Sequence, residues 1–187
     1  MIFYKKTLKI TDFGLARKQL QSSNMSAAGT FAWMNPECIR NSEFSTKSDV
    51  LSFGVLLWEC LTGELPYKSF DQMEVAFDIA TNKYSLPTPS TCPEEISQLM
   101  TNYWKILPDE HSTFSDLVKQ INEIIEINHI KSNEEFYQSL QKDWREEIQD
   151  MFKELKEKEQ KIRDREQAMY QRSLEQNHQR LQLGKWE

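Results

Sequence analysis

Apolar positions along the chain change their period twice. Leu8, Lys9 and Ile10 alternate in a way that predicts a short strand leading to Asp12. Between 47 and 61 the pattern is neither alternating nor one-sided. Val50, Leu51, Phe53, Val55, Leu56, Leu57, Trp58, Cys60 and Leu61 point in every direction around a helix. Such a helix must be covered on all sides, so it is expected to be the central post of a domain, with Thr62 and Gly63 as its stop. Ile96, Leu99, Met100 and Tyr103 then fall at one-face helical spacing behind Pro93, Glu94 and Glu95, which suit a helix start. Leu117, Val118, Ile121, Ile124 and Ile125 repeat that spacing, and Pro87 and Pro89 keep the stretch before it out of any helix.

From about residue 131 the chain becomes almost uninterrupted polar helix, lacing acid with base. The expected division is therefore a mainly α domain over 1–130, with a short N-terminal β segment, and a helical tail over 131–187. A heptad threads Trp144, Ile148, Met151, Leu155, Ile162 and Met169, but Lys158, Arg165 and Arg172 occupy its other seam positions. A solvated helix and a homodimer seam fit this tail equally well.

Composition narrows the class. The chain is 39% hydrophobic and 11% aromatic, enough for a core and against global disorder. A net charge of −6 argues against nucleic-acid binding driven by overall charge. Cys38, Cys60 and Cys92 have neither metal-type nor paired spacing, and read as small hydrophobes in a reducing compartment. No secretory signal opens the chain. The longest apolar stretch is interrupted by Ser52 and Glu59 and falls short of the roughly 20 residues a membrane span needs. A soluble, cytoplasmic protein without membrane or nucleic-acid partners is expected.

Asp12-Phe13-Gly14 is a weak signal alone, and its context makes it specific. Gly29 to Met34, Pro36-Glu37, Lys47 to Val55, Trp58-Glu59, Thr62 to Tyr67, Cys92-Pro93 and Tyr103-Trp104 follow in order. With these motifs, residues 5–127 resemble the C-terminal lobe of eukaryotic protein kinases. The stretches Lys6 to Arg17 and Met25 to Thr30 look most like mixed-lineage kinases, MAP kinase kinase kinases of serine/threonine type.

That resemblance implies a role for each matched position. Asp12 would offer a hard oxygen to a Mg²⁺ bridging ATP phosphates, Phe13 would pack on the core, and Gly14 would allow the backbone to reverse. Thr30 would help seat a protein Ser or Thr substrate. Ser22 and Ser26 match the usual activation-loop phosphorylation sites; surface serines without a regulatory role are the bland alternative. Glu37 would form a buried ion pair, and Asp49 would accept hydrogen bonds from the catalytic-loop backbone. In the family a leucine zipper follows the kinase domain and dimerises it, and the stretches Phe136 to Leu140 and Trp144 to Phe152 look like the linker into that zipper.

Departures from the family bear on activity. The 187 residues hold no Gly-rich loop, phosphate-binding Lys or H-R-D catalytic Asp, and the resemblance places all of these before Met1. The chain alone is therefore expected to transfer no phosphate, its complete form being a kinase for a downstream protein kinase. A catalytically dead remnant that binds partners through its tail is the second reading. Asn35 stands where the family has Ala, expected as a tolerable surface change. Leu51 replaces a Trp, and His111 stands where an Arg pairs with Glu37, which predicts a weaker, pH-dependent pair. Without the helix that normally covers the central post, part of Val50, Phe53, Leu57 and Leu61 is expected to face water and make the chain marginally stable.

Overall fold

The computed structural model describes residues 2–4, 7–13, 16, 31–83, 85–103, 113–127 and 134–183. Two short strands, β1 (Ile2–Tyr4) and β2 (Thr7–Lys9), pair antiparallel with Phe3 opposite Leu8. A 3-10 turn, η1 (Phe31–Trp33), leads into α1 (Pro36–Asn41), followed by α2 (Thr46–Thr62) and α3 (Gln72–Ala80). Next come α4 (Glu94–Tyr103), α5 (Phe114–Ile127) and the long α6 (Glu134–Leu183). The mainly helical, kinase-lobe-like fold expected from the sequence is the one observed.

The central post is α2. Ser45 caps its start, accepting from the Lys47 and Ser48 N–H groups while the Ser48 hydroxyl accepts from the Ser45 N–H. Gly63 ends it at φ +66°, where a side chain would be strained and would also collide with Arg145 and Gln141 of α6. Gly54 lets α4 approach: an added Cβ there would lie 2.7 Å from the Tyr103 Cβ. One flank of α2 packs Leu51, Val55 and Trp58 into the main core with Tyr67, Phe70, Val75, Ile79 and Met100. Its other flank packs Val50 into a second cluster with Leu99, Tyr103 and Leu117.

That second cluster corrects the expected exposure of the post. Val50 is buried, Phe53 and Leu57 are half-buried against the same cluster, and Leu61 packs on the main core. The reason is local: α4 and α5 cover this flank, and Phe53 meets Phe114 edge-on with ring centroids 5.9 Å apart. The apolar surface left to water lies further out, at Phe114, Val118 and Ile125 of α5. Leu8 and Ile10, which the alternation with Lys9 puts on one face of the strand, are both exposed.

The tail is built differently from the seam its sequence offered. Trp144, Ile148 and Phe152 are 4%, 0% and 5% exposed and face the lobe, with Ile148 and Phe152 in the core around Trp58 and Leu155 half-buried against it. Phe152 touches Trp58, Tyr67 and Phe70, at centroid distances of 6.2, 5.7 and 5.8 Å. Polar contacts fix the register: Gln141 donates to the Cys60 carbonyl, the Trp144 indole to the Thr91 hydroxyl, and the Ser90 N–H to Glu147. Burying each of the three large side chains is worth about 1.5–3 kcal/mol. Against a total domain stability of about 5–15 kcal/mol, that is too much for an appendage. Past Leu155 the helix keeps only polar contacts with the lobe among the described residues, from Lys156 to the Ser69 carbonyl and from Arg163 to Glu74, and Ile162 and Met169 are 54% and 68% exposed.

Candidate functional site

The β1–β2 hairpin delivers the chain to Asp12, whose backbone takes φ 63°, the left-handed region that Asp tolerates better than most residues. Asp12 is exposed, and so is Phe13, at 68%. The Ala16 N–H returns to the Phe13 carbonyl at 3.0 Å, closing a turn at this point. The expected packing of Phe13 on the core is therefore not observed, because no described residue covers it. Gly14, Ser22, Ser26, Thr30 and His111 lie outside the described residues.

The segment after Thr30 is held firmly to the post. In η1, the Trp33 carbonyl accepts from the Ser52 hydroxyl at 2.7 Å, and the Trp33 indole donates to Glu59 at 3.2 Å. Ala32 is buried, and η1 also packs against α3. Ser52 and Glu59 thus place the backbone that continues directly from Thr30. Neither contact was legible beforehand, although an acid inside a nearly all-apolar helix is a signal that some donor must reach it.

Asn35 is fully buried, which corrects its reading as a surface change. It precedes Pro36 at the N-cap of α1, and its Nδ2 donates to Glu37 Oε1 at 2.7 Å. The Asn35 Oδ1 is buried with no partner among the described residues. Glu37 is half-buried, so the amide serves the carboxylate for which the family pattern supplies a cation. Its position before a Pro-led helix was the available signal.

The structure brings Glu37 and Asp49 together around Cys38. Burial is the main force raising the Cys38 thiol pKa; the Ser48 hydroxyl opposes it, and the two carboxylates add to it. The Cys38 thiol donates to the Glu43 carbonyl at 3.1 Å. A protonated, hydrogen-bonded thiol of this kind is a packing residue, not a nucleophile. Asp49 stands exposed in the first turn of α2, and desolvation raises its carboxyl pKa.

Whether these residues fit a Mg²⁺ ion and ATP is decided by the donor set. Mg²⁺ favours near-octahedral oxygen ligands, usually carboxylates with substrate phosphates and water. Among the described residues no group of three or more His, Cys, Asp or Glu is placed to hold a metal. Asp12 supplies a chemically suitable oxygen on an exposed turn. The described residues do not by themselves build the site.

Comparison with known proteins identifies the lineage. The family model for protein tyrosine and serine/threonine kinases matches residues 1–121. The chain belongs to this kinase family. It is 53% identical over 158 residues to mitogen-activated protein kinase kinase kinase 10 of Xenopus laevis, covering 83% of this chain and 16% of that protein. It is 49% identical over 158 residues to the human mitogen-activated protein kinase kinase kinase 11, covering 84% of this chain and 18% of the relative. A Drosophila melanogaster mitogen-activated protein kinase kinase kinase is 47% identical over 155 residues, covering 83% of the chain and 13% of the relative. The likeness to mixed-lineage kinases thus runs well beyond the kinase model and into α6. The chain spans less than a fifth of the length of these relatives.

Proposed function

We propose that this lobe is the substrate-side part of a serine/threonine protein kinase acting in MAP-kinase signalling. Completed by a nucleotide-binding lobe and a catalytic loop, it transfers the γ-phosphoryl group of ATP to a Ser or Thr of a downstream kinase. The observation that carries this reading is the double anchoring of η1, through Ser52 to the Trp33 carbonyl and Glu59 to the Trp33 indole. It fixes the backbone after Thr30, the residue assigned to seating the substrate hydroxyl. In this reading Asp12 holds Mg²⁺, Phe13 and Gly14 shape its turn, and phosphates on Ser22 and Ser26 order the segment before η1. Asp49 waits at the start of α2 for the catalytic-loop backbone, and near residue 130 the kinase pattern gives way to the tail helix, whose proximal half still belongs to the core of the lobe. The setting is cytoplasmic; no helix among the described residues is long and apolar enough to cross a membrane.

The chain by itself lacks a group to accept the substrate proton, so it is inactive alone. The test joins it behind the N-terminal lobe and catalytic loop of the Xenopus relative and follows radiolabelled phosphate transfer to a protein substrate. Transfer by the joined protein, lost on Asp12→Ala and absent from the chain alone, supports the reading. No transfer from a folded joined protein overturns it. The exposed distal part of α6, with Ile162, Met169 and Leu174 at its surface, favours a second role as a homodimer contact. Concentration-dependent helicity of the whole chain tests that role.

A further inference from the structure

Where α6 crosses the turn between α2 and α3, a cavity of about 290 Å³ opens between Glu64, Lys68 and Ser69 on one side and Phe152, Lys153 and Lys156 on the other. Its floor is already neutralised. The buried Glu64 carboxylate accepts from the Gln149 amide and from the Leu65 N–H at 3.1 Å, and Lys68 stands 3.8 Å away. Lys68 thus answers Glu64, and Lys153 and Lys156 add two further ammonium groups to the same lining. Lys156 donates to the Ser69 carbonyl at 2.9 Å, which orients its amine without cancelling its charge. Lys153 has no partner among the described residues. In a chain of net charge −6 this cationic mouth runs against the background.

The walls are a second, independent feature. The lining is mostly apolar although three lysines contribute to it, as expected where Lys stems and Phe152 supply the hydrocarbon. The volume lies at the lower edge of the roughly 300–1,000 Å³ typical of small-molecule sites, a size that one or two side chains fill. We propose that this groove docks an acidic peptide segment of a partner protein. One apolar side chain lies against Phe152, and flanking Asp or Glu carboxylates meet Lys153 and Lys156. A free phosphate would use the amines and leave the apolar wall bare, so the peptide is the better match. The inference is independent of phosphoryl transfer.

Fluorescence anisotropy of the full chain tests it, with a labelled peptide in which Asp and Glu flank a single Phe. Saturable binding is expected, weakening as salt rises and dropping at least about tenfold in Lys153→Glu/Lys156→Glu. The milder pair Lys153→Gln/Lys156→Gln, checked for native helicity, should lose several-fold and covers the case in which the Glu pair does not fold. Unchanged affinity in the Gln pair overturns the proposal. So does equal binding of a peptide with Ser in place of Phe, or displacement by inorganic phosphate at peptide-like concentrations.

Discussion

The two halves of α6 share a charged, glycine-free composition and have opposite surroundings. In the proximal half, Trp144, Ile148, Phe152 and Leu155 stack on one face and complete the core of the lobe. In the distal half that face is broken by Arg163 and Glu166, and Ile162, Met169 and Leu174 stay in water. Composition does not separate the halves; an unbroken apolar face does. The helix of 50 residues, about 75 Å long, is thus bolted to the lobe at one end and extended at the other.

The contrast can be broken from the proximal side. Ile148→Asp puts a carboxylate in a fully buried site without a partner and should unfold the lobe, seen as loss of the cooperative melt. Phe152→Ala should cost about 3–5 kcal/mol in urea unfolding, because three aromatic neighbours cannot all close over the space.

Cys92 gives a pH-dependent handle beside the same core. Burial raises its thiol from 9.0 to about 11, so the folded state holds the proton more tightly than the unfolded state. Its contribution to stability is intact below pH 9 and is lost as pH rises toward 11, by at most about 2 kcal/mol for a partly exposed thiol. Cys92→Ala should flatten that part of the stability–pH curve. On the distal side effects shrink. Arg163→Ala removes an exposed contact to Glu74 and should cost less than about 1 kcal/mol. Ile162→Ala should shift stability by no more than about 0.5 kcal/mol at concentrations where the chain is monomeric.

Much of the lobe was legible because single-helix patterns decide it. The all-round apolar run made α2 the post, and the spacing of Ile96 to Tyr103 gave the buried face of α4. The docking of α6 was not legible, since an apolar stripe at helical spacing reads alike whether its cover is the same chain or another copy. A straight helix carries Phe152, not Met151, onto the face begun by Trp144 and Ile148, which a strict heptad misses. For the site, the order of motifs revealed the family. It could not reveal that Asn35 is buried under Glu37 or that Ser52 and Glu59 grip Trp33. Those are side-chain contacts, two of them across 19 and 26 residues, and no local periodicity encodes them.

Hydrogen exchange along α6 at low protein concentration tests the central contrast most directly. Amides of residues 142–155 should exchange as slowly as those of α2, and amides of residues 160–180 should exchange orders of magnitude faster. Equal exchange rates along the whole of α6 would contradict a helix half built into the lobe and half outside it.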